Sequence, residues 1–286
     1  MECRSRFTAL SLPVKSLTMD APSMKSLSAL LLLVSSLLAP APAAAAAVAK
    51  QEQVVRFATA EWPPYLGEQL PEQGALAVLL SQAFAGEGYR VELQFFPWAR
   101  TLLLVRDPAS GFDGYVVDYF SEQVARDYLL SQPVATSPLV LAERAGNPLG
   151  WQTESDLARY RLGLVTGYIN TAEIDRRVAN GEIRVEFVSD DLGNLRILAA
   201  GRIDAAVIDS RVLAWLGRED RQLREGGEIL RVAGGRVLEE KALYACFRRG
   251  DRGEQLRAAL NRGLKKVDAR KVIEQYLQRQ LRGSSR

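Results

Sequence analysis

Residues 201–209 read Gly-Arg-Ile-Asp-Ala-Ala-Val-Ile-Asp, a turn leading into a short apolar run that ends on an acid. Ser210 follows, and a helical pattern occupies 210–217, so the segment predicts a buried strand, Ala205–Asp209, that delivers Asp209 to the point where strand becomes helix. Just upstream the same alternation occurs, with strands predicted over Arg161–Val165 and Val185–Val188 and helices over 171–179 and 191–200. Earlier still it predicts strands at Val54–Ala58, Val91–Phe96 and Phe112–Val117 and helices at 75–85, 98–106 and 121–128. Strand alternating with helix requires crossover connections and gives largely parallel sheets. The chain therefore reads as two α/β units of similar size.

The segments between and after these units say how they connect. Residues 131–143 (SQPVATSPLVLAE) have no helical period, are interrupted by Pro133 and Pro138, and are followed by a Gly146-Asn147-Pro148 turn. They predict an extended crossing from one unit to the other. A further extended run, Ala242–Arg248, precedes two helices at Glu254–Val267 and Arg270–Leu281. The second places Val272, Ile273, Tyr276, Leu277 and Leu281 on one face, and the simplest partner for that face is the first unit, reached by a second crossing. Two crossings between two lobes make a hinge, and the cleft beside a hinge is where ligands bind.

At the N-terminus, Lys25 precedes an apolar run from Leu27 to Leu38, then Pro40, Pro42 and an alanine tract ending Ala47-Val48-Ala49-Lys50. A basic start, a short apolar middle and small residues at the end predict a cleaved secretory leader over residues 1–47 and a periplasmic mature protein. Met24-Lys25 would open a leader of ordinary length by itself, so a start at Met24 and a longer leader both stand. The run is shorter than the ~18 residues a membrane span needs, and no cysteine closes it to carry a lipid. Cys3 lies in the leader, which leaves Cys246, in the apolar run 242–247, as a buried strand cysteine without a disulfide partner.

Composition then removes whole classes of function. The leader carries Arg4, Arg6, Lys15 and Lys25 against Glu2 and Asp20, so the excess of 37 basic over 34 acidic residues nearly vanishes with it. A near-neutral mature chain has no electrostatic footprint for nucleic acid. The chain contains no histidine, which excludes histidine triads and most zinc sites, and no clustered Asp/Asn loop suggests calcium. No metal and no cofactor are expected.

Several segments, in order along almost the whole mature chain, resemble the extracellular solute-binding proteins of the polar amino-acid type (family 3), the receptors of ABC importers. They are Phe57–Tyr65 (FATAEWPPY), Gln82-Ala83-Phe84 before Gly88-Tyr89, Phe96–Arg100 (FPWAR), Gly111–Gly114 (GFDG), Leu130–Pro133 (LSQP), Leu162–Gly167 (LGLVTG) and Ala200–Asp209. The resemblance implies a type II periplasmic binding protein fold: two lobes, each a mostly parallel sheet flanked by helices, joined by two hinge strands. Lobe 1 would comprise 48–136 and 242–286, and lobe 2 would comprise 137–241.

The resemblance also implies roles for particular residues. Asp209 would hold a ligand's ammonium, although the start of a helix at Ser210 also makes it an N-cap. Arg126 would clamp a carboxylate, or else pair with Glu122 one helical turn away; it lies five residues before Ser131, closer than the family's arginine. Where the family presents small hydroxyl residues, residues 115–120 read YVVDYF; Asp118 and Tyr119 there favour a more cationic ligand, a basic amino acid or polyamine-like compound.

The residues that follow strands supply the remaining candidates. Trp62, Tyr65 and Trp98 are either pocket walls or rim packing around Pro63, Pro64 and Pro97. Thr166 and Gly167 follow a strand, with Tyr168 next and Thr171 placed to cap a helix. Trp151 and Trp215 are assigned to packing. The function expected is capture of a small polar ligand, an amino acid or related amine or carboxylate, by a monomer that presents it to an ABC permease or a membrane-bound signalling receptor. A periplasmic dehydratase or lyase on the same fold, using Glu61, Asp118 or Asp209, is the enzymatic alternative, and a ligand sensor for a separate membrane receptor is the third.

Overall fold

A computed structural model describes residues 53–283; the expected leader lies outside the described residues. The chain runs β1 (Gln53–Thr59), α1 (Ala75–Ala85), β2 (Tyr89–Phe95), α2 (Trp98–Arg106), β3 (Gly114–Tyr119), α3 (Glu122–Asp127), β4 (Tyr128–Leu130) and β5 (Ala135–Arg144). It continues with β6 (Arg161–Val165), α4 (Ala172–Ala179), β7 (Arg184–Val188), α5 (Asp191–Ala199), β8 (Ala205–Asp209), α6 (Ser210–Glu219), α7 (Arg221–Glu225), β9 (Leu230–Arg248), α8 (Asp251–Leu264) and α9 (Ala269–Gly283). The alternation predicted from periodicity is present throughout.

Hydrogen bonding orders the strands β2-β1-β3-β9-β5-β8-β6-β7, with β4 alongside β9. One end is a parallel set, β1 between β2 and β3. The other end is a second parallel set, β6 between β7 and β8. Joining them are two long antiparallel strands: β9 pairs with β3 through Leu243–Phe247, β5 pairs with β8 through Leu139–Glu143, and the two pair with each other from Ala135 opposite Leu243 to Arg144 opposite Leu230. These are the two crossings expected from the proline-interrupted passage and from the run before the last helices.

Residues 230–241 depart from expectation. They extend β9 to 19 residues, whereas periodicity predicted a strand only from Ala242. The added half contains Gly234 and Gly235 at positive φ and the polar run Glu239-Glu240-Lys241, so it carries no apolar alternation to read. Backbone pairing to β5 holds it in place instead.

The helices seat where sequence chemistry puts them. Ser121, Thr171, Asp190 and Asp209 each accept a backbone N–H from the first turn of the following helix. The apolar face of α9 packs on α1, and Tyr276 donates its hydroxyl to Pro71 O at 2.9 Å, which ties the C-terminus to the first half as its pattern implied. Gly163 lets α5 lie against β6: a Cβ there would overlap Asn194 Oδ1, and the Asn194 side-chain amide donates to Gly163 O. Among the described residues no helix is long and apolar enough to cross a membrane.

Candidate functional site

Residues at or just beyond the carboxyl ends of β1, β2, β3 and β6 line one space, as open α/β sheets require of a ligand crevice. A cavity of about 40 Å³ lies there, walled by the rings of Trp62, Trp98, Tyr119 and Tyr168, by Asp118, and by the small or apolar residues Thr59, Ala60, Leu66, Val116, Val117, Ile169 and Leu243. Trp62 and Trp98 follow β1 and β2, Asp118 and Tyr119 end β3, and Tyr168 follows β6. Both halves of the fold contribute. Trp98 Nε1 donates across the cleft to Gly167 O at 3.1 Å, and its ring meets Tyr168 edge to face at 5.9 Å. Gly167 has φ +83°, and a Cβ there would press to 3.3 Å from the Trp98 ring, so the approach needs glycine twice over.

Asp118 is buried at the end of β3, accepting the Tyr119 N–H at 2.8 Å and the Tyr115 hydroxyl at 2.9 Å. Burial raises its pKa to about 7, against the lowering effects of those two bonds and of the Lys241 charge. Asp191, the first residue of α5, is 5% exposed and accepts the Tyr168 hydroxyl at 3.2 Å. Its pKa is also pushed to about 7, by burial first and by the neighbouring charges of Asp209 and Asp190. The Trp62 indole lies close enough to temper that rise, yet Asp191 Oδ1 has no hydrogen-bond partner of good geometry. Burial first, and then the charges of Asp209, Asp191 and Asp118, push the Tyr119 hydroxyl above the ordinary tyrosine range.

The remaining predicted residues are placed elsewhere. Asp209 stands behind the cavity rather than in its wall: Oδ1 caps α6 through the N–H groups of Arg211 and Val212, and Oδ2 accepts from Ser137 at 2.6 Å and Tyr65 at 3.1 Å. The capping alternative describes this geometry. Burial raises the Asp209 pKa, and those bonds hold the rise down. Tyr65 is fully buried, stacked on Trp62 at 4.6 Å, and takes a bond from Arg211 at 2.7 Å. Arg126 stands on the surface, 62% exposed and 3.4 Å from Glu122, which is the helix-pair alternative. Thr166 is exposed and outside the cavity lining.

Two buried or half-buried cations approach from the crossing strands and α6, but neither lines the cavity. Lys241 Nζ donates to Asn170 O at 2.7 Å, lies 3.5 Å from Glu239 and sits 5.3 Å above the Tyr119 ring. Arg211 holds Tyr65 and Thr136 O. Sequence reasoning did not pick out Asp191, Lys241 or Ser137 for the site. The doublet Asp190-Asp191 at a helix start was the available signal, since one acid suffices for a cap. Among the described residues no group of histidine, cysteine or acidic side chains could hold a metal ion.

No family model matches the chain, and no curated protein is significantly similar to it. Solved structures are. The GluR0 ligand-binding core from Nostoc punctiforme, in complex with L-glutamate, aligns at TM-score 0.62 and 18% identity over 79% of this chain and 98% of that one. The fold is that of a two-lobed periplasmic binding protein. A histidine kinase sensor domain with similarity to periplasmic binding proteins aligns at TM-score 0.64 and 22% identity over 80% of this chain and 95% of that one. An amino acid ABC transporter substrate-binding protein from Streptococcus pneumoniae, bound to L-arginine, aligns at 0.63 and 16% over 80% and 96%. This periplasmic-binding-protein fold thus serves an acidic ligand in one relative and a basic one in another, so the ligand must be read from the side chains of the cleft.

Proposed function

We propose that the chain is an exported solute-binding protein whose two lobes, residues 48–136 with 242–286 and residues 137–241, close on a small organic cation. One observation carries this reading: four aromatic rings and an acid wall the cavity, and none of its lining residues is basic. Ring faces attract cations, and a buried carboxylate is the natural partner for an ammonium taken out of water. A ligand carboxylate would need a cation in the wall, and neither Lys241 nor Arg211 lines the cavity: Lys241 Nζ turns to Asn170 O, and Arg211 Nη1 to Tyr65 and Thr136 O.

The basic start, apolar run and alanine tract of residues 25–49 support export to the periplasm. The likeness to an importer's receptor and to a kinase sensor domain supports two partners for the closed form, a membrane permease or a membrane-bound signalling receptor. The protein acts as a monomer without a cofactor. Closure follows from ligand contacts to both lobes, which favour the closed state over the open one.

Calorimetric titration of the mature protein with methylammonium, butylamine, arginine and glutamate tests the reading, with melting temperature as a second readout. Amines give heat and raise the melting temperature, whereas glutamate does neither. Glutamate binding in the absence of amine binding overturns the assignment. The near-neutral pKa of Asp118 also suits a general acid, which supports a lyase on this fold as the second reading. Recovery of the bound amine chemically unchanged after prolonged incubation decides between the two.

A further inference from the structure

Adjoining the inner cavity is a groove of about 650 Å³ that shares Ala60, Trp98 and Tyr168 with it. The Trp98–Tyr168 pair therefore borders both spaces. The groove has an apolar floor that includes Phe95 and Phe96, and four carboxylates, Glu61, Glu68, Asp190 and Asp191, with no lysine or arginine in its lining. Elsewhere this arginine-rich chain pairs its acids readily: Glu87 with Arg262 and Lys266, Glu173 with Arg176 and Arg177, Asp113 with Arg252. None of the four groove acids forms an ion pair among the described residues.

Asp191 sets this groove apart from a chance gathering of surface acids. Glu61, Glu68 and Asp190 are exposed, while Asp191 is 5% exposed and its Oδ1, although near the Trp62 indole, has no well-aligned donor. A buried acceptor without a donor is destabilising unless a partner brings one. Size supplies the other half of the inference. The inner cavity, at about 40 Å³, has room for an ammonium head and its first methylenes, given that one water needs about 10–15 Å³ on the same measure. Anything longer must place its remainder elsewhere, and the adjoining space is the groove.

We infer that the groove is a second cation subsite and that the ligand is a linear di- or polyamine, one ammonium in the aromatic cavity and the next against Asp191. This rests on the reading of the cavity as a cation site. It also separates polyamines from basic amino acids, because an α-carboxylate in the groove would lie among four acids. The alkyl spacer runs past Ala60, the one small residue common to both spaces, along the faces of Trp98 and Tyr168.

The test is a length series on the intact mature protein: butylamine, putrescine and spermidine, each titrated against wild type, Asp191→Asn and the exposed double variant Glu61→Gln/Glu68→Gln. Putrescine is expected to bind at least tenfold more tightly than butylamine, and spermidine at least as tightly as putrescine. Asp191→Asn shrinks the advantage of putrescine over butylamine to within threefold. The double variant, which leaves buried groups untouched, weakens spermidine threefold or more without affecting butylamine. Butylamine and putrescine binding equally, or Asp191→Asn weakening both alike, overturns the second subsite and leaves the cation cavity standing. Failure of every amine to bind overturns the cavity reading itself.

Discussion

At Asp118 function and stability pull in opposite directions, and the substitution Asp118→Asn measures the conflict. Burial raises the carboxyl from an ordinary 3.8 to about 7. That rise corresponds to a ceiling of about 4 kcal/mol at about 1.4 kcal/mol per pH unit. Relaxation and water penetration around a buried ion reduce such penalties, so about 2 kcal/mol is expected. The direction follows from linkage. Between pH 4 and 7 the native state holds a proton that the unfolded chain has released, so stability falls as pH rises through that window and stays low above it. The substituted amide carries no charge at any pH and keeps both bonds, its Oδ1 accepting from the Tyr119 N–H and its Nδ2 donating to the Tyr115 hydroxyl oxygen. Urea unfolding at pH 4.5, 6 and 8 should therefore find the variant equal to wild type at the lowest pH and about 2 kcal/mol more stable at the highest, with a melting temperature about 4–8 °C higher. The same variant should lose amine affinity at least tenfold at pH 8, and saturating amine should flatten the pH slope of the wild type. A variant less stable than wild type at pH 8, or a difference that does not change with pH, would refute the reasoning.

Three other substitutions address separate parts of the site. Trp98→Phe keeps a ring in the wall but removes the donor to Gly167 O, a contact worth about 1 kcal/mol to the closed form. Amine affinity should fall about fivefold and solution scattering should show a larger mean radius of gyration, whereas unchanged values on both counts would mean the bond does not hold the lobes shut. Asp209→Ala strips the cap from α6 and leaves Ser137, Tyr65 and Arg211 without their acceptor, a loss of about 3 kcal/mol in urea unfolding. Amine affinity of the folded fraction should move less than threefold; a hundredfold weakening would return Asp209 to direct contact with the ligand's ammonium. Arg126→Ala should leave both unfolding midpoint and amine affinity at wild-type values, and a selective loss of binding would show that the surface arginine reaches the cleft.

The order of elements was legible because each strand and helix carries its own period. Trp98–Arg106, Arg161–Val165 and Ala205–Asp209 coincide with the ranges read from pattern alone. Residues 230–241 were illegible because their strand is held by backbone pairing to β5, which leaves no trace in side-chain periodicity. In the site, Trp62, Trp98, Asp118, Tyr119 and Tyr168 could be picked out because each stands at or just beyond the end of a strand, where the sheet exposes side chains. Asp209 stands at such an end too, yet its acceptor capacity is filled by residues 72 and 144 positions away. A sequence gives the type of a residue but not whether the chain itself supplies its partners. Asp191 was hidden for the converse reason: next to Asp190 it reads as a second helix-capping acid, and only the packing shows that Asp190 makes the cap while Asp191 turns inward.

Closure itself supplies selectivity for charge. Asp118 lies in β3 of the first parallel set, Asp209 ends β8 of the second and Asp191 opens α5, and the charges of all three act on Tyr119. The closed form is held by contacts that need no ligand, Trp98 to Gly167 and Tyr65 to Asp209 across the cleft and Lys241 to Asn170 from the crossing strand. It is opposed by the desolvation and mutual repulsion of those acids. On the proposed reading a cation in the cleft offsets the opposing terms and an anion adds to them, so closure would favour an amine over a carboxylate. A ligand shifts a two-state equilibrium only by its differential affinity for the two states, and on the proposed reading Asp118 and Asp191, the two acids at the ligand spaces, would supply that difference.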